Sequence, residues 1–184
     1  MKKKEKIKIC FMGGNQAGIL GALTALSVGI EIKAAVAYGD EISSILKKLG
    51  VKVYKSISSD GFKRALKSSD VLVSVHGREI MGLDLLSMPR FGGINVHPYL
   101  YKYKGRDPVG RALKVFDYKA SVGAHFMTEE IDVGKVLVEK FLDITGVKTS
   151  EEAYNRLYPL YISVILSVLE KITRRKNGRK KVVQ

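Results

Sequence analysis

Two polar side chains interrupt an otherwise apolar segment, and their types suit proton transfer and the stabilisation of negative charge. Asn95 and His97 lie in the stretch GGINVHP, which reads as a buried strand that stops at Pro98. Residues two apart on a strand point to the same face, so the spacing predicts an amide beside an imidazole at a strand end. An amide can donate a hydrogen bond to a developing negative charge, and an imidazole can transfer a proton near neutral pH.

A second polar segment lies downstream, in SVGAHFMTEEIDVGKVLVE. It reads as a strand that contains His125, followed by an acidic loop with Asp132 and Gly134. A carboxylate can orient an imidazole and help to move a proton, so Asp132 is a candidate partner for His97. Each residue also has a purely structural interpretation: Asn95 can cap a strand end, His97 can be a hydrogen-bonded core histidine, and Asp132 can cap a turn.

Strands and helices alternate along the chain, and this alternation predicts how the polar residues are positioned. Apolar strands are read at Lys6–Met12, Ile30–Tyr38 and Val71–Val75, with helical segments between them. The pattern indicates an α/β fold: a single doubly wound, mostly parallel, Rossmann-like sheet flanked by helices. We therefore expect one domain over residues 1–184, with a basic tail at about 174–184 and a ligand site beyond the carboxyl ends of the strands.

The last predicted helix begins at a cap formed by Thr149 and Ser150 and contains Pro159. Proline removes a backbone donor, so we expect Pro159 to kink the helix or to break it. The helix is apolar on more than one face. Core packing explains one of these faces, and the other makes a homodimer possible.

The composition is typical of a globular protein. The chain has 184 residues, 46% of them apolar, and no apolar run long enough to span a bilayer. The single cysteine, Cys10, is expected to be buried in the first strand. The formal charge of +14 comes partly from basic termini, which are either solvated tails or attract an anionic ligand. There is no nucleic-acid-binding motif, so we expect a cytoplasmic protein with neither a nucleic-acid nor a membrane partner.

The turn GGNQAG after the first strand offers Gly13, Gly14 and Asn15 as candidate substrate-binding residues. Backbone amides between a strand and a helix can bind an anion. Asn15 stands where the second glycine of a G-x-G-x-x-G fingerprint belongs, although Asp40 follows the second strand. A nicotinamide-dependent dehydrogenase is therefore disfavoured, and the alternative to phosphate contact is a simple tight turn.

Taken together, the motifs INVHP, Y-x-G, HFM and IDVG resemble the folate-dependent formyltransferases, between about Val71 and Phe141. That family includes glycinamide ribonucleotide formyltransferase, the catalytic domain of methionyl-tRNA formyltransferase, and nucleotide-sugar N-formyltransferases. The resemblance implies that Asn95 stabilises an oxyanion, that His97 handles a proton, and that Asp132 orients His97. It leaves His125 either a supporting or a structural role.

The resemblance also implies a pocket for 10-formyltetrahydrofolate, the formyl donor, and no metal. Family members hold the pterin largely by backbone hydrogen bonds from two loops. By position, these loops supply the candidate folate-binding residues Arg78, Glu79, Ile80, Met81, Glu129, Glu130 and Ile131.

The acceptor implied by the resemblance is a small primary amine that carries phosphate. Tyr99, a further candidate substrate-binding residue, replaces the family's usual serine, and Lys102 replaces a proline. The chain shows no additional carboxyl-terminal domain of the tRNA branch, and its glycine turn is a poor match to the glycinamide ribonucleotide branch. We therefore predict a nucleotide-linked amino sugar as acceptor. The alternatives are glycinamide ribonucleotide and, in a different class, a non-catalytic folate- or nucleotide-binding protein.

Overall fold

Seven strands form one sheet in the computed structural model, which describes residues 6–178. In chain order, the elements are β1 Lys8–Gly14, α1 Asn15–Ser27, β2 Glu31–Tyr38, α2 Asp40–Lys48, β3 Val53–Tyr54, α3 Asp60–Lys67, β4 Val71–Val75, α4 Leu83–Leu86, β5 Gly93–Pro98, α5 Pro108–Lys114, β6 Lys119–Phe126, β7 Val136–Asp143 and α6 Ser150–Asn177.

The sheet order is β3-β2-β1-β4-β5-β6-β7. All pairs from β3 to β5 are parallel, whereas β6 and β7 are antiparallel to their neighbours. The predicted doubly wound, mostly parallel sheet is confirmed. Because the chain moves outwards in opposite directions from β1 and β4, a crevice opens beyond the carboxyl ends of the central strands.

Helices cover both faces of the sheet, which explains why the central strands are apolar throughout. All five residues of β4 are buried. One core lies under α1, α2, α5 and α6, and a second lies under α3 and α4. Cys10 is fully buried in the second core, as predicted for a residue of the first strand.

Helix α6 begins with a complete capping box. The Thr149 hydroxyl accepts a hydrogen bond from the backbone N–H of Glu152, whose carboxylate accepts one from the N–H of Thr149. The helix runs without interruption through Pro159, so the prediction of a break is wrong, whereas the alternative of a kink stays a prediction. Buried side chains after the proline, including Tyr161 and Val164, hold the second part of the helix against the sheet.

The carboxyl ends of β1 and α6 differ from their predicted limits. Strand β1 extends to Gly14, so the glycines belong to the strand end, and α1 starts directly at Asn15. The first part of the predicted basic tail, residues 174–177, lies in α6, whereas residues 179–184 fall outside the described residues. None of the helices within residues 6–178 combines the length and the apolar character that crossing a membrane requires.

Candidate active site

Strand pairing brings the first three polar residues together. Asn95 and His97 lie at the carboxyl end of β5, and antiparallel β6 places His125 directly opposite Asn95. His97 and His125 are both buried, and the Asn95 Nδ2 atom lies 3.5 Å from Nε2 of His125. The antiparallel register therefore adds a second imidazole to the pair that the spacing predicts.

Asp132 reaches the same place from the turn between β6 and β7. Its backbone φ is 57°, a left-handed conformation that a short polar residue tolerates better than most. Two residues later, a side chain at Gly134 would overlap the carbonyl oxygen of Phe126. Glycine is thus required at this position for the turn to fold back close enough to carry Asp132 into the site.

Each oxygen of the Asp132 carboxylate faces two polar groups. Oδ1 accepts a hydrogen bond from Asn95 Nδ2 at 3.1 Å and lies 3.2 Å from Nε2 of His125. Oδ2 accepts a hydrogen bond from the backbone N–H of Gly105 at 2.8 Å and lies 3.1 Å from Nε2 of His97. The side chains of Asn95, His97, His125 and Asp132 thus form one polar cluster centred on the carboxylate.

These contacts keep Asp132 ionised. Burial alone raises the pKa of Asp132, but the hydrogen bond from His125, the nearby His97 and the Gly105 N–H outweigh it and lower this pKa to about 2. The site therefore contains a buried carboxylate that is negatively charged at neutral pH. Such a charge stabilises a neighbouring imidazolium and fixes the orientation of the ring.

The partners of His97 define which ring nitrogen carries hydrogen. Nε2 lies 3.0 Å from the carbonyl oxygen of Gly105 and 3.1 Å from Oδ2 of Asp132. Both oxygens can only accept, so Nε2 must be the donor. Nδ1 is buried and has no hydrogen-bond partner among residues 6–178. One peptide group, that of Gly105, therefore contacts both His97 and Asp132.

The polar cluster forms one wall of a cavity of about 710 Å³. This volume falls within the usual range of small-molecule sites. The candidate catalytic residues Asn95, His97 and Asp132 line the cavity. So do all seven candidate folate-binding residues: Arg78, Glu79, Ile80, Met81, Glu129, Glu130 and Ile131.

Two loops supply the outer walls of the cavity, loop A (residues 77–82) after β4 and loop B (residues 127–131) after β6. Each loop exposes an isoleucine at the surface: Ile80 is 71% exposed and Ile131 is 55% exposed. Large apolar side chains at the rim of a cavity suit a ligand with a flat, apolar ring system.

Glu79 has a structural role within loop A. Its carboxylate accepts hydrogen bonds from the hydroxyls of Tyr38, at 2.8 Å, and Ser56, at 2.6 Å. The backbone N–H of Ile57 lies 3.3 Å from both carboxylate oxygens. Glu79 therefore fastens loop A to the edge of the sheet.

The four candidate substrate-binding residues lie apart from the polar cluster. Gly13, Gly14 and Asn15 form the junction of β1 and α1 and are not among the residues that line the cavity. Tyr99 is fully buried, and its hydroxyl donates a hydrogen bond to the carbonyl oxygen of Asp117 at 3.0 Å. The structure thus places Tyr99 in the hydrophobic core, where its side chain cannot contact a ligand in the cavity.

His76 connects the start of loop A to helix α6. Its Nε2 atom lies 2.8 Å from the hydroxyl of the buried Tyr161, and the ring packs edge-on against Tyr154. Burial, with a smaller effect from His97, lowers the pKa of His76 to about 4. His76 is therefore neutral at physiological pH.

Six residues that line the cavity were not predicted: Ser74, Gly77, Gly105, Arg106, Met127 and Thr128. Arg106 lines the cavity, and its neighbour Gly105 contacts the polar cluster through its peptide group. The glycine is visible in the sequence, but a backbone contact leaves no signal in residue type.

Among residues 6–178, no group of His, Cys, Asp or Glu side chains is arranged to hold a metal ion.

The profile of the Formyl transferase family matches residues 3–169, and the chain belongs to this family. One relative is a methionyl-tRNA formyltransferase of Thermotoga maritima, which is 30% identical over 112 residues. That match covers 60% of this chain and 36% of the relative, so the matched part of the chain spans about a third of the relative's length.

Solved structures share the fold. A phosphoribosylglycinamide formyltransferase from Bacillus halodurans superposes with a TM-score of 0.77 at 16% identity, over 94% of this chain and 98% of the other. A formyltetrahydrofolate deformylase from Pseudomonas syringae gives a TM-score of 0.76 at 15% identity, over 93% of this chain and 63% of the other. The particular arrangement of sheet and helices is thus that of the formyltransferase fold.

Proposed function

We propose that the protein transfers a formyl group from 10-formyltetrahydrofolate to a primary amine. The single observation that carries this proposal is the polar cluster of Asn95, His97 and ionised Asp132 on the wall of a cavity that also has two apolar-rimmed loops. Family membership supports the same activity.

The cavity suits the donor. Ile80, Met81 and Ile131 supply apolar surface, and the backbones of loops A and B supply hydrogen-bonding groups for a pterin ring. When bound, the donor supplies an activated formyl group, which an amine nitrogen attacks. Loops A and B hold the donor in this proposal, and the polar cluster faces the reacting atoms.

Asn95 and His97 supply two N–H donors for negative charge that develops on the formyl oxygen. One N–H of the Asn95 amide is used by Asp132, which leaves the other for this purpose. The Nε2–H of His97 is shared by the Gly105 carbonyl and the Asp132 carboxylate, so in this proposal the bound donor displaces the Gly105 carbonyl and takes its place. A preorganised donor such as the free N–H of Asn95 is worth about 3 kcal/mol in acyl-transfer sites.

The reaction must also move one proton from the attacking amine to the leaving nitrogen of the folate. In our proposal the amine proton passes to the Asp132 carboxylate, and His97 gives its Nε2 proton to the leaving nitrogen. Asp132 then returns its proton to Nε2 of His97, which restores both groups. His125 holds the other carboxylate oxygen and thereby keeps Asp132 in position.

For the acceptor, we propose a phosphate-bearing amine, in particular a nucleotide-linked amino sugar. Arg78 and Arg106 line the cavity, and neither side chain has an ion pair or hydrogen bond within residues 6–178. The same lining carries the carboxylates of Glu79, Glu129, Glu130 and Asp132, so the proposed phosphate would bind at these two arginines and not to the cavity as a whole. Glycinamide ribonucleotide is the second candidate, favoured by the near-complete mutual coverage of the Bacillus halodurans structure.

The test is the release of tetrahydrofolate from 10-formyltetrahydrofolate in the presence of separate amines. The panel contains nucleotide-linked amino sugars, glycinamide ribonucleotide and a water-only sample. We expect release with one amine class and loss of release in His97→Ala, with donor binding by calorimetry retained. Release with water alone would indicate a hydrolase, and failure of the folded protein to bind the donor would refute the proposal.

A further inference from the structure

A second concave site lies at the β2–β3 edge of the sheet, and its lining shares no residue with the catalytic cavity. It is a cleft of about 320 Å³ between α3 and the β2–β3 edge, which we call the amino-end cleft. Its principal lining residues are Lys33, Lys52, Tyr54, Gly61, Arg64 and Ser68. Lys33 lies near the start of β2, Lys52 directly precedes β3, and Arg64 and Ser68 belong to the carboxyl-terminal part of α3 and its cap.

The position of the cleft separates it from the polar cluster. Strands β2, β3 and β5 all point the same way in the parallel part of the sheet. Asn95 and His97 lie at the carboxyl end of β5, whereas the cleft lies beside the amino ends of β2 and β3. A molecule in the cleft therefore does not share contacts with one in the catalytic cavity.

The cleft is lined by three cations and no carboxylate. Within residues 6–178, the side chains of Lys52 and Arg64 make no ion pair or hydrogen bond. Lys33 contacts only neutral groups, the hydroxyl of Ser68 at 2.6 Å and its carbonyl oxygen at 3.3 Å. Three positive charges that line one cleft without a carboxylate favour an anion, and phosphate offers several acceptor oxygens at once.

An aromatic wall accompanies the cations. The ring of Tyr54 lies against the first turn of α3 at Gly61, where any side chain would overlap its Cε1 and hydroxyl atoms. The edge-on contact with Phe62, with centroids 6.3 Å apart and planes at 65°, fixes the tilt of the ring. A half-buried aromatic ring beside cations provides a stacking surface next to an anion site.

We propose that the amino-end cleft binds a nucleoside 5′-phosphate, with the phosphate on Lys33, Lys52 and Arg64 and the base against Tyr54. The volume of about 320 Å³ suits a single mononucleotide and is too small for a larger ligand to be enclosed. The proposal is independent of the formyl-transfer reaction, because none of these residues lines the catalytic cavity.

The probe is adenosine 5′-monophosphate, titrated into the isotope-labelled full chain while backbone amide shifts are recorded. We expect shifts in residues 52–68 that saturate, and a weakening of about tenfold in Arg64→Ala, because one charge-assisted contact is lost. The matched control is Lys67→Ala, which removes an equal charge from an exposed position of α3 outside the cleft. Its affinity should change less than about twofold.

Three results would overturn the proposal. They are an absence of shifts in the cleft at millimolar nucleotide, equal weakening in Arg64→Ala and Lys67→Ala, and binding of a single-stranded oligonucleotide without binding of the mononucleotide. Adenosine and inorganic phosphate are titrated separately, because each carries only one of the two groups that the proposed site binds. Both are expected to bind more weakly than the nucleotide, and equal affinity of inorganic phosphate would remove Tyr54 from the site. Formyl-transfer activity of Arg64→Ala is expected to remain at the wild-type level, so failure of either proposal is seen separately.

Discussion

The polar cluster and the two cavity loops line the same cavity but are built in opposite ways. In the polar cluster, both Asp132 oxygens have two partners each, and the side chains are largely buried. In loops A and B, Ile80 and Ile131 project from the rim and are mostly exposed. The groups proposed for chemistry are thus preorganised by the fold, whereas the proposed binding walls have apolar surface for a ligand to cover.

Removal of the charge at the centre of the polar cluster should have the largest effect. We expect Asp132→Asn to lower kcat for formyl transfer by about a thousandfold, because His97 loses the carboxylate that orients it and the amine proton loses its acceptor. Asp40→Asn, at an exposed position of α2, is the control. Steady-state kinetics and the circular dichroism of both variants are the measurements. A kcat within tenfold of wild type in folded Asp132→Asn would show that the cluster is structural.

Buried His76, which contacts Tyr161 of helix α6, should make the stability of the protein sensitive to acid. Because the pKa of His76 is lowered from 6.5 to about 4, the unfolded chain binds a proton there at higher pH than the folded chain does. The free energy of unfolding should therefore fall by up to about 3 kcal/mol as the pH decreases from 6.5 to 4.

Urea unfolding at a series of pH values measures this slope, and His76→Gln should flatten it. The remaining carboxylates contribute mainly at lower pH. Asp132 belongs to that group, since its lowered pKa adds stability that is lost between about pH 4 and pH 2. An unchanged slope between pH 6.5 and pH 4 in His76→Gln would assign the acid sensitivity to other groups.

A smaller effect is expected when loop A is loosened without touching the polar cluster. Glu79→Gln keeps the shape of the side chain but weakens the hydrogen bonds from Tyr38 and Ser56. We expect the KM for the folate donor to rise about tenfold while kcat changes little, because the loop loses order and the chemistry does not. Glu41→Gln, at an exposed position of α2 outside the cavity, is the matched control. A fall in kcat without a rise in KM would contradict the assignment of loop A to donor binding.

The smallest effect is expected from the exposed rim. Ile131→Ser removes apolar surface from loop B and should weaken donor binding about fivefold, which corresponds to about 1 kcal/mol of lost burial. Stability to urea should be unchanged, because the side chain is 55% exposed in the free protein. Equal loss of stability and affinity would mean that the rim is already packed before the ligand binds.

The polar cluster and the loops also differ in how far the sequence predicted them. Residue types in the family's characteristic order predict Asn95, His97 and Asp132, and the resemblance predicts the loops by their positions; the structure brings these residues to one cavity. His125 was left open, because only the antiparallel register of β5 and β6 shows that it lies beside Asn95. The register depends on pairing between distant segments, which residue type alone does not reveal.

Tyr99 illustrates why a match in sequence position did not predict the direction of a side chain beyond Pro98. If the strand continued, Tyr99 would share a face with Asn95 and His97 and would point towards a ligand. Instead, its φ is 51°, and this left-handed turn directs the ring into the core towards Asp117. Left-handed conformations of bulky residues are set by tertiary packing, so local propensity disfavours the observed conformation. The same applies to the continuous helix at Pro159, which packing stabilises against its local preference.

In the free protein, the Gly105 peptide occupies hydrogen-bonding groups of His97 and Asp132 that a ligand would also use. Its N–H and C=O already satisfy Asp132 and His97, so any molecule that engages both side chains must exchange places with this peptide. A measured affinity is then the difference between two sets of hydrogen bonds rather than the strength of one. An inhibitor that presents an amide in the same orientation would copy the resting contacts of the protein. Linked to a group that fills the cavity between loops A and B, it would take the place of the Gly105 peptide at His97 and Asp132 and exclude the substrate.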